Sequence, residues 1–217
     1  DFWQSFDINK GELPYSVVFD PEVFKYVANK MILESGIKLY LHTYALEAIV
    51  DDEIIKGVII HNKSGRQAIL GTIIIDASGD GDIAASAGVP FLMDKEPDSK
   101  RMLMTQMFRL ANLDLSRLPE DLHGMHGILI KNTYVSWGGS ADGLGIDGED
   151  LTRAEIEARE KTWEKIGELN KLSGFEDAFL IETATRIGVR ETRRFIGEYI
   201  LKESDAKNDV RFKDVIA

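Results

Sequence analysis

The sequence predicts an α/β chain in two parts, and three observations carry that prediction. A capped amphipathic helix is followed by short alternating strands over residues 20–61. An almost wholly apolar run, 68–75, then ends in a turn made of Gly and Asp. After residue 90 the texture changes to isolated strands and one long polar helix, an α+β pattern. The parts are therefore placed at 1–90 and 91–217, within the usual range for one large or two small domains.

Residues 1–19 mix aromatics with Gly11 and Pro14 and predict no single element. From Asp20 the signal is clear. Asp20 can cap a helix, Pro21 suits its first position and Glu22 its first turn. Val23, Phe24, Val27, Ala28, Met31 and Ile32 follow at helical spacing, and Gly36 stops the run, giving a helix over 21–35. Ile37, Leu39 and Leu41 alternate with polar neighbours and predict a strand over 37–43. Strands at 44–50 and 54–61 flank the acidic turn Asp51-Asp52-Glu53, and Asn62-Lys63-Ser64-Gly65-Arg66 turns the chain again. Residues 68–75 then read as a central strand buried on both faces. A short helix, 83–87, follows the turn, and the charged stretch 90–101 crosses to the second part.

There, strands are expected over 102–112 and 127–137, with a Gly- and Asp-rich loop over 138–150. Thr152 and Glu155 have capping-box spacing and predict a helix over 153–171. Residues 178–201 read as two strands around a turn at 187–190, with a helix over 190–201 as the competing pattern.

Composition excludes several classes. Lys plus Arg number 26 against 37 Asp plus Glu, a net charge of -11, and neither part is basic, which argues against nucleic-acid and anionic-membrane binding. With 0 cysteines there is no disulfide, thiolate metal site or cysteine nucleophile, which is compatible with a reducing cytoplasm. No apolar run has the length of a membrane span. The first residues have neither a basic region nor an apolar core and are not read as a signal peptide.

Two features can carry chemistry. The first is Asp76-Ala77-Ser78-Gly79-Asp80-Gly81-Asp82, at the carboxyl end of an apolar strand, where open α/β sheets bind ligands. Gly79 and Gly81 permit a sharp turn and close approach of a ligand, and Asp82 can cap the helix that follows. A tight strand-to-helix turn without a ligand is the alternative. The second is Arg186, Arg190, Arg193 and Arg194, close together in an acidic chain. Arginine forks bind carboxylates bidentately, so the cluster can orient an anionic substrate; the alternative is ion pairing with Glu182, Glu191 and Glu198. On a strand, Arg190 and Arg194 would share a face and Arg193 would point away.

Weaker features read as structure. His123 and His126 are flanked by Gly124 and Gly127 and have no third ligand. Asp142, Asp147 and Asp150 lack calcium-loop spacing. Met102, Met104 and Met107 read as core filling, and Trp137 as packing.

Three stretches together resemble the FAD-dependent oxidoreductase family, of the two-dinucleotide-binding-domain flavoprotein class and distantly similar to fumarate reductase and succinate dehydrogenase flavoproteins. They are Phe19-Asp20-Pro21-Glu22 with the run at 36–43, Ile74-Ile75-Asp76-Ala77-Ser78-Gly79-Asp80-Gly81-Asp82, and Gly188-Val189-Arg190-Glu191-Thr192-Arg193-Arg194 with Gly197 and Tyr199. The resemblance implies that residues 1–90 are an incomplete FAD/NAD(P)-binding domain of helix, parallel strands and β-meander. Residues 91–217 would be a substrate-side α+β domain with a mixed or antiparallel sheet. It implies FAD contacts at Ala45, Ala77, Ser78, Gly79, Asp80 and Gly81, with Arg190 and Arg193 stabilising substrate or flavin charge. The Gly-x-Gly-x-x-Gly fingerprint is absent, so the chain is expected to be an interior fragment that binds FAD weakly or not at all and is inactive alone. The implied activity is hydride transfer between a small-molecule substrate, an anion among the candidates, and FAD. A cytoplasmic location is expected, together with apolar surface left open where flanking segments would pack, which allows a homo-oligomer. The alternative is a non-catalytic domain or interaction scaffold without flavin, its cleft filled by its own side chains and its arginines fully paired.

Overall fold

A computed structural model describes residues 20–93, 101–120, 127–130, 132–208 and 210–213. The chain divides into two compact units, Asp1–Thr43 and Tyr44–Ala217. In the first, α1 (Pro21–Glu34) begins as its sequence dictates: the Asp20 carboxylate accepts from the N–H groups of Glu22 and Val23 at 3.0 and 3.4 Å. It ends at Ser35 and Gly36, the latter at φ +70°. Residues 37–43 differ from expectation, because they form no strand among the described residues. Alternation sets a face, but a strand also needs a neighbour's N–H and C=O groups.

The second unit opens with an antiparallel meander, β1 (Tyr44–Asp51), β2 (Ile54–Asn62) and β3 (Gly65–Leu70), paired in that order. Asp52 and Glu53 both have positive φ, 50° and 63°, and make the two-residue turn that matches strand twist. The short helix α2 (Asp82–Ser86) packs on β1, where the Ser86 hydroxyl accepts from the Ala48 N–H at 2.8 Å. The expected central strand over 68–75 is not formed. Pairing stops at Leu70, and Ile73 and Ile75 are 82% and 85% exposed rather than buried on both faces. Apolar composition marks these residues for burial, but no neighbouring layer covers them among the described residues. All strand pairs described are antiparallel, so the expected parallel strands are not observed.

Next come β4 (Phe91–Leu92), β5 (Met104–Ala111), β6 (Gly127–Ile130), β7 (Thr133–Ala141), α3 (Gly148–Leu169), β8 (Phe179–Thr183), β9 (Arg194–Phe195) and α4 (Glu203–Lys207). The main sheet has the order β6-β7-β5-β8 and is wholly antiparallel. The expected single strand over 127–137 is two, broken at a turn that includes Asn132, a residue suited to turns. Of the two readings of 178–201, the competing helix over 190–201 does not form; two strands do, β8 and the two-residue β9. Residues 94–100, most of the 90–101 stretch read as a crossing, and His123 and His126 lie outside the described residues. No helix among the described residues is long and apolar enough to cross a membrane.

The core lies between the main sheet and α3. On β5, Met104, Gln106, Phe108 and Leu110 are buried at every second position, the period of a strand with one covered face. Helix α3 answers with Ala154, Ala158, Thr162, Ile166 and Leu169. Tyr134 meets Phe175 edge to face with ring centres 5.1 Å apart. Helix α3 starts earlier than its capping-box pattern predicts. The Asp147 carboxylate caps it, accepting from Glu149 and Asp150 at 3.0 and 2.9 Å. Glu155 instead uses its carboxylate to accept from the Ile187 N–H at 2.6 Å.

Small residues set how closely helix and sheet approach. The buried Thr162 hydroxyl donates to the Ala158 carbonyl at 2.7 Å and accepts from the Gly139 N–H at 2.8 Å. A Cβ at Gly139 would overlap the Ala158 carbonyl, whereas one at Gly167, in the last turn of α3, would meet open space. Gly139→Ala should therefore destabilise by about 1–3 kcal/mol. Gly167→Ala should stabilise by about 0.5–1 kcal/mol. Urea denaturation midpoints read both, and a neutral Gly139→Ala would contradict this packing.

Candidate functional site

The site grows from the turn after β3. The Asp76 carboxylate accepts from the Ser78 N–H at 3.0 Å and, across the turn, from the Ala84 N–H at 2.9 Å. The Ser78 hydroxyl accepts from the Asp82 N–H at 3.1 Å. Together they satisfy donors at the start of α2 that a helix cannot satisfy itself. Asp82, expected to cap this helix, does not: Gly81 holds the cap position in the left-handed region, at φ 66°, and Asp82 is the first helical residue. Partial burial pushes the Asp76 carboxyl up, but hydrogen bonds from the Ala84 and Ser78 backbones and the Ser78 hydroxyl outweigh it and leave the pKa below its ordinary 3.8.

A second segment closes on this turn from far along the chain. The Thr192 hydroxyl donates to the Asp80 carboxylate at 2.8 Å. Arg193 Nη1 donates to the Asp80 carbonyl at 2.7 Å and to the Asp82 carboxylate at 2.8 Å. The Arg193 guanidinium also lies over the Phe91 ring, 5.5 Å from its centre. Phe91 and Phe195 face each other across the β4–β9 pair, and the Phe195 ring occupies the space where a Cβ on Gly81 would stand. Gly81 is thus required twice, for its φ and for this contact.

Between the two segments is an open cleft of about 430 Å³, lined by Ser78, Gly79, Asp80, Val189, Arg190, Glu191, Thr192, Arg193 and Arg194. Of the residues singled out in the sequence, Ser78, Gly79, Asp80, Arg190, Arg193 and Arg194 line it, and Arg186 does not. Ala77 and Gly81 border those that do, and Ala45 stands on β1, paired with Ile60, outside the lining. The arginines share one cleft although a strand would have turned Arg193 away. Residues 189–193 are irregular, and strand pairing resumes only at Arg194.

The four arginines have different partners. Arg193 is committed to the turn, and Arg194 pairs with Glu191. Glu182, another candidate partner, pairs instead with Arg109 across β5 and β8. Arg190 is exposed and has no ion pair among the described residues. Sequence reasoning missed Thr192, Phe91 and Phe195. Thr192 was legible only as a member of the 188–194 stretch, and the aromatic pair left no signal.

The cleft leaves the backbone of the turn open to a ligand. Gly79, at φ +91°, has open space where a side chain would be, so a ligand can approach its backbone. The remaining candidates resolve as structure. Asp147 caps α3, Asp150 accepts from the Leu144 N–H, and Asp142 pairs with Arg101, with no metal-holding group among the described residues. Met104 is core, while Met102 and Met107 are exposed.

A family model described as FAD dependent oxidoreductase matches residues 3–126 and 123–217. No curated protein and no solved structure matches the chain.

Two outcomes are expected at the turn. The Ala84 amide resonance should titrate with a midpoint below 3.8, and Asp76→Asn should abolish that step. The lowered pKa means that Asp76 stabilises the fold above the ordinary carboxylate pKa and that this is lost as pH falls through the folded value. Arg193→Gln should destabilise by about 1–3 kcal/mol in urea, because the Asp80 carbonyl and Asp82 carboxylate lose a charged donor. An unchanged midpoint would show that Arg193 does not hold the turn.

Proposed function

The chain belongs to the FAD dependent oxidoreductase family, and from that premise we propose that it is part of a flavoenzyme passing a hydride between a small-molecule substrate and FAD. Membership implies FAD as the cofactor. One observation carries the finer reading: the Ser78-Gly79-Asp80 turn and the Val189–Arg194 segment, distant in sequence, line a single cleft. In this reading Ala77, Ser78, Gly79, Asp80 and Gly81 are the flavin-binding turn, and the backbone of Ala45 meets the adenine end. Residues 1–90 belong to the FAD-binding domain and 91–217 to the substrate side. In this reading the chain alone is inactive.

FAD supplies the two-electron acceptor or donor when bound. The chain's own side chains bind and orient. The cleft offers arginine cations and the backbone amides of the turn for this. Arg193 keeps the turn in shape, and Arg190 places positive charge beside it. The competing reading, a scaffold that has lost its cofactor, requires a filled cleft and fully paired arginines. Arg193 and Arg194 are paired, but the cleft is open and Arg190 has no acidic partner among the described residues, which favours the flavin reading.

Equilibrium dialysis against FAD tests it. Saturable binding is expected, weak enough to be lost on desalting, and Gly79→Val should reduce it by about tenfold or more by filling space next to the turn. A chain that melts cooperatively yet binds no FAD at any concentration would be a non-catalytic domain.

A further inference from the structure

We propose that this cleft contains an oxyanion site, in which the Arg190 guanidinium and the backbone N–H groups of Gly79 and Asp80 grip a carboxylate or phosphate group. Two sets of unused donors on opposite walls lead to this assignment.

On one wall, the arginines divide by exclusion. Arg193 is held by the Asp80 carbonyl and Asp82, Arg194 by Glu191, and Arg186 is outside the lining. Arg190 lines the cleft, is exposed, and has no ion pair among the described residues of a chain with 37 acidic side chains. The two carboxylates in the lining, Asp80 and Glu191, already accept hydrogen bonds. Asp80 takes the Thr192 hydroxyl, and Glu191 takes Arg194 and the Met102 N–H.

On the other wall, most backbone donors around the turn are taken, and of those that are not, Ala77 and Gly81 lie outside the lining. The Ser78 N–H goes to Asp76, the Asp82 N–H to Ser78, the Ala84 N–H to Asp76 and the Ala85 N–H to the Gly81 carbonyl. The N–H groups of Gly79 and Asp80 have no acceptor among the described residues, and both residues line the cleft. Successive N–H groups in a turn with left-handed residues form a concavity that suits an anion. Arginine adds a planar fork matched to carboxylate and phosphate. A volume of about 430 Å³ admits a metabolite-sized ligand.

Such an oxyanion has two sources, a substrate carboxylate or the pyrophosphate of the flavin dinucleotide. The choice between sources rests on the flavin reading above; the site itself rests on the unused donors. The test titrates the chain with succinate and with inorganic pyrophosphate at low salt, following amide resonances, for wild type, Arg190→Gln, Arg190→Lys and Arg186→Gln. Wild type should bind at least one probe saturably, with the Gly79 and Asp80 amides shifting. Arg190→Gln should weaken binding by about tenfold or more, with Arg190→Lys between. Arg186→Gln, equal in charge change but outside the cleft, should bind as wild type.

Pyrophosphate displaced by FAD identifies the cofactor as the source, and succinate still bound with FAD present identifies the substrate. The inference is overturned if neither probe shifts those amides, or if Arg190→Gln binds both as wild type does. FAD binding without either probe would defeat the oxyanion site and leave the flavin reading standing. Probe binding through Arg190 without FAD binding would do the reverse.

Discussion

The candidate site depends on one clamp. Thr192 and Arg193 hold the Asp80–Asp82 turn through three hydrogen bonds, joining segments 111 to 113 residues apart. The Arg193 side chain is only 13% exposed, so its charge is worth more there than at an open surface and costs more to leave unpaired. The clamp has little freedom to shift, because the Phe195 ring fills the space beside Gly81 and the Arg193 guanidinium covers Phe91. The same contacts that fix the turn leave the Gly79 backbone uncovered.

The main sheet supplies the other half of the constraint. Ile187 is buried beside Met104 and Ala158, and its N–H is taken by Glu155 of α3. Gly188 exchanges both backbone hydrogen bonds with Thr105 of β5, at 2.8 and 3.1 Å. Six residues later, Arg194 and Phe195 pair with β4. The arginine-bearing segment is thus anchored at both ends, and 189–193 span the gap without regular structure. That irregularity lets Arg190 and Arg193 take separate roles. A continuous strand would have fixed their side chains by alternation and allowed only one of them to reach the cleft.

Where a local rule decides conformation, the sequence was readable. Asp20-Pro21-Glu22 begins a helix because its groups satisfy that helix's own end, and Gly36 ends it for the same reason. The turn from Asp76 to Asp82 was readable as a turn, since Gly79 and Gly81 both take positive φ. What escaped was decided by distant partners. Asp82 looks like a cap, but Asp76 and Ser78 satisfy the helix start, and Asp82 is drawn to Arg193. Glu155 looks like the end of a capping box, but a backbone N–H some thirty residues on claims it, and Asp147 starts the helix a turn earlier. Ile73 and Ile75 look like the middle of a sheet, yet alternation and apolarity describe what a strand would bury without providing the strand beside it.

Charge shows why the arginines divide as they do. In a chain with a net charge of -11, a guanidinium ordinarily finds a carboxylate close by, as Arg66, Arg109, Arg117, Arg153 and Arg159 do. Those pairs are mostly at the surface, where an ion pair is worth about 0–1 kcal/mol. Forming one more would stabilise the fold little, and leaving Arg190 without one costs little. The same guanidinium gains more when it faces a ligand oxyanion that two backbone N–H groups also bind, since charge-assisted hydrogen bonds are about twice as strong as neutral ones. Arg193, nearly buried, has to be satisfied within the fold; Arg190, exposed beside an open backbone, can be satisfied by what enters the cleft.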